Sequence, residues 1–98
     1  MNGRRKEVLK IIKSQKKFLG EKYKVKKIGI FGSFVRNEWK RNSDIDILVD
    51  FYEVPDLFAF LNLEWYLEKV LGEKVDLVRK PVVREELKKK ILSEVVYL

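Results

Sequence analysis

Apolar positions recur along this chain in two rhythms, one of helical period and one of strand period. Val8, Ile11, Ile12, Gln15, Phe18 and Leu19 recur at helical spacing, while Lys6, Lys10, Lys13, Lys16 and Lys17 fall mostly on the opposite side. This pattern predicts an opening helix that covers a sheet. Val25 to Phe31 mixes Val, Ile and Phe with Lys, which reads as a strand running into a Gly32-Ser33 turn, and a short helix is expected from Phe34 to about Lys40. From Asp44 to Val49 the period is two: Asp44 and Asp46 share one face, and Ile45, Ile47 and Val49 share the other. Pro55-Asp56 starts a helix from Leu57 to about Leu71 that stops at Gly72, Lys74 to Arg79 forms a third strand, and Pro81 precedes a last helix carrying Leu87, Ile91 and Leu92. The expected fold is α/β in the broad sense (α+β). One domain over residues 1–98 would hold a small three-stranded mixed sheet flanked by about four helices.

The Leu57 to Leu71 helix carries more apolar residues than one buried stripe needs, leaving only Asn62, Glu64, Glu68 and Lys69 polar. Deep burial would explain this, but a 98-residue chain has little interior to hide such a helix. The expectation is therefore that part of it meets a partner or a second copy of the chain.

The chemistry concentrates at Gly32-Ser33 and Asp44-Ile45-Asp46. Without a Cβ, Gly32 lets backbone approach a ligand closely, and Ser33 can cap the following helix or donate to a phosphate. Two carboxylates on one strand face repel unless a cation lies between them. Hard oxygen donors of this kind suit Mg²⁺, which completes its shell with water and substrate phosphate. Asp76 is the one acid in the apolar pattern Val75-Asp76-Leu77-Val78, and a neighbouring strand would bring it to the other two. Three carboxylates suffice for two-metal phosphoryl chemistry. Gly-Ser and Asp-x-Asp each arise by chance, but acids embedded in a run such as Ile45-Asp46-Ile47-Leu48-Val49 carry a desolvation cost that a cation would offset. Asp50 shares their parity but sits at the strand end beside Phe51 and Tyr52, and reads as a solvated residue.

These motifs resemble the minimal nucleotidyltransferases of the DNA polymerase β-like superfamily over nearly the whole chain. Ile30-Phe31-Gly32-Ser33-Phe34-Val35-Arg36-Asn37 is similar to the family's strand, Gly-Ser turn and following Arg-Gly, with Asn37 where Gly is usual. Ser43 to Val49 matches its metal-binding strand, Lys74 to Val78 its third-carboxylate strand, and Ile91 to Tyr97 its common ending. The resemblance implies Mg²⁺-dependent transfer of AMP from ATP to an acceptor hydroxyl, with two ions expected. Small members act as antitoxins that adenylylate a tyrosine of a HEPN-domain toxin. By that resemblance Asp44, Asp46 and Asp76 are the catalytic and metal residues, Asp76 also being placed to take the acceptor proton. Gly32 and Ser33 hold the β- and γ-phosphates, and Arg36 is a candidate phosphate contact, since guanidinium suits bidentate phosphate recognition, or else a surface residue. The antibiotic-modifying relatives add a pocket-forming domain for which this length leaves no room, so the acceptor is expected on another chain.

Composition narrows the classes further. Zero Cys removes thiolate zinc sites and cysteine nucleophiles, and zero His removes the commonest general base, so catalysis must rest on carboxylates and bound ions. No apolar run approaches the roughly 20 residues of a membrane span, and the charged start does not read as a signal peptide, so a cytoplasmic location is expected. Residues 1–27 hold eleven Lys or Arg against two Glu, which accounts for the whole +7 charge of the chain. That stripe is either a solvated helix face or a field that attracts ATP, RNA or an acidic protein. Two other classes stand beside the enzyme. One is an antitoxin that works by binding its HEPN partner alone; the other is a small basic nucleic-acid-binding module, for which no RRM, KH or zinc-finger signature is present.

Overall fold

The computed structural model describes residues 2–36, 38–40, 43–80 and 84–98. Along the chain run α1 (Asn2–Tyr23), β1 (Val25–Phe31), a 3-10 turn (Gly32–Phe34), β2 (Ile45–Phe51), α2 (Leu57–Leu71), β3 (Val75–Arg79), α3 (Glu85–Glu94) and β4 (Val96–Tyr97). The strands form one mixed sheet in the order β3-β2-β1-β4, with β2 and β3 parallel and the other pairs antiparallel. Helix α2 makes the crossover that parallel neighbours require.

Sequence periodicity translates directly into two faces. Ile28 and Ile30 of β1, Ile45, Ile47 and Val49 of β2, and Val75 and Leu77 of β3 are buried with Val8, Ile12 and Leu19 of α1 and Leu63, Leu67 and Leu71 of α2 in one cluster. Both long helices therefore cover the same face. The opposite face is read from the register: Phe31, Asp46 and Asp76 form one cross-strand row, and Tyr97, Gly29, Leu48 and Val78 form the next.

Local signals fix the ends of α2. The Asp56 carboxylate accepts the Ala59 N–H at 2.8 Å, and Gly72 closes the helix in the left-handed region with φ +69°, its N–H donating to the Glu68 carbonyl at 2.8 Å. Arg4 of α1 donates to the Leu71 carbonyl and pairs with Glu73 at 3.0 Å, tying α1 to the end of α2. Two glutamates of α2 have a further use: Glu68 accepts the Val75 N–H at 3.0 Å and Glu64 accepts the Leu77 N–H at 3.1 Å, so the outer rim of β3 is hydrogen-bonded to its own crossover helix.

The sequence expectation needs two corrections. Strand β4 makes the sheet four-stranded, because Gly29 leaves room for a close neighbour: a Cβ there would meet Val95 Cγ2 at 2.8 Å and the Val96 carbonyl at 2.9 Å. Two residues are too few for a period-two reading to detect. The expected helix from Phe34 to about Lys40 is replaced by the 3-10 turn, in which the Val35 and Arg36 N–H groups both donate to the Gly32 carbonyl at 3.1 Å, leaving three α-helices among the described residues. Trp39 then packs edge-on against Phe34 at 5.4 Å and donates to the Ser43 carbonyl at 2.8 Å. Asn37 and Pro81 lie outside the described residues.

Candidate active site

The site lies where β1 ends and β2 and β3 begin. Asp46 and Asp76 are direct partners in the parallel register, so their side chains leave the sheet side by side on the face away from α1 and α2. Asp44 stands one residue before β2, and its neighbour Ile45 is tied to the Lys74 carbonyl at 2.8 Å. Gly32 completes the corner. Its φ is +76°, and a Cβ there would overlap Asp46 Oδ2 and come within 3.1 Å of Cγ. Both conformation and space therefore demand glycine at this position.

Charge is crowded here. The Asp46 carboxyl is pushed up to about 6, first by burial and then by Asp76 and Asp44; Glu94 adds to the rise and Arg36 opposes it. Only Asp46 carries a burial cost, since Asp44 and Asp76 are exposed. The desolvation argument made from sequence thus holds for one of the three acids. The other two act by proximity.

The donor set fits Mg²⁺. It is all carboxylate oxygen, and Asp46 stands in register with Asp76, so two like charges face one another. Among the described residues no group of three or more acids is already drawn into a cage for a metal ion. Mg²⁺ commonly takes one or two carboxylates and fills the remaining positions with water and phosphate oxygens.

Ser33 lies inside the 3-10 turn, half-buried, and its carbonyl accepts the Glu38 N–H at 2.9 Å. Of its two readings, helix cap or phosphate donor, the first does not apply to this turn, which begins at Gly32 with extended Phe31 at the cap position. Arg36 is exposed and engaged: Nη1 donates to both oxygens of Glu94 at 3.0 and 3.1 Å, and Nε donates to Glu38 at 3.2 Å. Glu94 also accepts the Gly32 N–H at 3.2 Å. Sequence reasoning did not single out Glu94. Its signal was available, since Leu87, Ile91 and Glu94 follow helical spacing, which sets a carboxylate on the apolar side of α3.

A Gly-Ser turn against paired strand aspartates is the arrangement of a phosphate-transferring site. The family model for the nucleotidyltransferase domain matches residues 12–98. The chain belongs to that family. This nucleotidyltransferase is 50% identical over 92 residues to the protein adenylyltransferase MntA of Thermococcus cleftensis, covering 94% of this chain and 93% of the relative. A solved structure provisionally described as a minimal nucleotidyltransferase is 31% identical, with a TM-score of 0.72 over 99% of this chain and 91% of that one. A toxin–antitoxin crystal structure with AMP-PNP is 26% identical, with a TM-score of 0.69 over 95% of this chain and 70% of that one. Among the described residues of the nucleotidyltransferase, no helix is long and apolar enough to cross a membrane.

Proposed function

We propose that this nucleotidyltransferase transfers AMP from ATP to a hydroxyl, most naturally a tyrosine, of a HEPN-domain toxin, and so serves as its antitoxin. The observation that carries the reading is the in-register pair Asp46 and Asp76 directly beside the Gly32 bend. The adenylyltransferase name of the Thermococcus relative and the AMP-PNP of the 26%-identical toxin–antitoxin structure support the donor and the kind of partner.

In this reading Gly32 and Ser33 hold the β- and γ-phosphates, and Asp44, Asp46 and Asp76 would hold two Mg²⁺ ions. Those ions supply charge neutralisation around the triphosphate and the departing pyrophosphate. The acceptor oxygen forms a bond to the α-phosphorus, the bond from that phosphorus to the pyrophosphate oxygen breaks, and Asp76 takes up the hydroxyl proton. Exposure of Asp76 leaves its carboxylate open to an acceptor brought by another chain. Arg36 is spent on Glu38 and Glu94 in the structure, so any contact of its guanidinium with phosphate would use its remaining N–H groups or require an ion pair to open.

The test is mass spectrometry of the partner after incubation with this chain, ATP and Mg²⁺, beside an Asp44→Ala, Asp46→Ala double variant. A gain of one or more AMP units with the parent chain alone supports transfer. A partner left unmodified in both samples yet still neutralised would establish binding alone as the mode of action.

A further inference from the structure

We infer that Glu94, at the end of α3, is a positioning residue for nucleotide: it fixes the Gly32-Ser33 bend in the form that receives the triphosphate, with Arg36 paired beside it. The inference deepens the transfer reading and rests on it. Three contacts carry it. One carboxylate accepts the Gly32 N–H at 3.2 Å and pairs through both oxygens with Arg36 Nη1 at 3.0 and 3.1 Å. The Glu94 side chain is only 18% exposed, and its bond to the Gly32 N–H is part-buried, whereas its contacts with Arg36 lie at the surface.

The geometry explains why a hydrogen-bond acceptor is needed there. Gly32 lies in the left-handed region, which glycine leaves easily, and Asp46 stands against the position a Cβ would take there. An anchor on the Gly32 N–H holds that conformation. Two residues further on, Val96 joins β1 opposite Ile30, and the Leu98 N–H donates to the Ile28 carbonyl at 3.0 Å. The anchor is thereby braced against the strand that leads into the bend. The C-terminal segment and the phosphate-holding turn form one mechanical unit.

Three variants test this: Glu94→Ala, which removes the anchor; Glu94→Asp, which withdraws it by one methylene; and Glu94→Gln, which keeps an acceptor for the Gly32 N–H but loses the charge. Because the bend holds phosphate alike in ground and transition states, its loosening is expected chiefly in KM. Glu94→Ala should raise the KM and the calorimetric Kd for Mg²⁺–ATP about tenfold with kcat changed less than about threefold, and Glu94→Gln should recover most of the loss. Glu94→Asp should fall between, and it serves as the test if the alanine variant does not fold. Hydrogen exchange of the Gly32 amide without nucleotide should quicken in the Ala and Asp variants and stay near parental in Gln. A folded Ala or Asp variant with parental exchange and parental or tighter ATP binding would overturn the inference. Should the parent itself neither bind ATP nor transfer AMP, the transfer reading falls, and quickened exchange at Gly32 alone decides whether Glu94 holds the bend.

Discussion

Asp46 is the residue whose surroundings make the sharpest demand. Its carboxyl titrates at about 6 in the folded chain against 3.8 for an unperturbed group, so between those values the folded state holds more proton than the unfolded one. Stability of the metal-free protein should therefore decline as pH rises from about 4 to 6 and stay lower above that range. Asp46→Asn removes the penalty and should stabilise the metal-free protein at pH 7 by about 2 kcal/mol, seen as a higher melting temperature and a flatter pH profile, while abolishing transfer. An unchanged pH profile in the variant would refute the electrostatic account. At Gly32 the expectation has the opposite sign. Gly32→Ala must place a Cβ on the Asp46 carboxylate at positive φ, and a loss of about 1–3 kcal/mol in denaturant unfolding together with loss of ATP binding is expected. At this scale the sequence was readable where chemistry depends on residues close in the chain, as in Asp44 and Asp46. Glu94 was not, because its partners stand 62 and 58 positions away and only the folded chain brings them together.

Element boundaries were legible where the signal was local. Asp56 and Gly72 stop α2 at both ends by side-chain and backbone hydrogen bonds that any reader of the sequence can anticipate. The 3-10 turn and β4 were not legible, since one depends on how Gly32 closes against Asp46 and the other on a strand that exists only beside Gly29. Helix α2 also resolves the question its composition raised. Leu63, Leu67 and Leu71 are buried, whereas Leu57, Phe58 and Trp65 remain 68%, 78% and 59% exposed. The excess of apolar residues thus lies on the surface, as a partner-facing helix requires and a deeply buried one does not. Phe58→Asp or Trp65→Asp should weaken binding of the protein partner by tenfold or more in calorimetry while shifting the melting temperature of the isolated chain by no more than a few degrees. Aggregation or unfolding of these variants would instead assign the residues to the core.

For the molecule as a whole, one face of the sheet is sealed by α1 and α2 and the other presents the acids. The layer class and the inward-facing residues of β2 followed from the pattern of the sequence, but strand order did not, because nothing in that pattern states that β1 sits between β2 and β4. A ligand that binds only the folded arrangement stabilises it by mass action. Mg²⁺ with ATP at about a hundred times its dissociation constant should add about 2.7 kcal/mol and raise the melting temperature by several degrees, and chelation of the metal should reverse the gain. No shift with both present would count against nucleotide at this face.

The glutamates that α2 lays along β3 have a consequence for company as well as for folding. With Glu64 and Glu68 taking the amide protons on one flank and only a two-residue strand bordering the other, the sheet offers little ladder for a foreign chain to extend. A protein that associates with this one is therefore expected to do so through side chains and helices more than by lengthening the sheet.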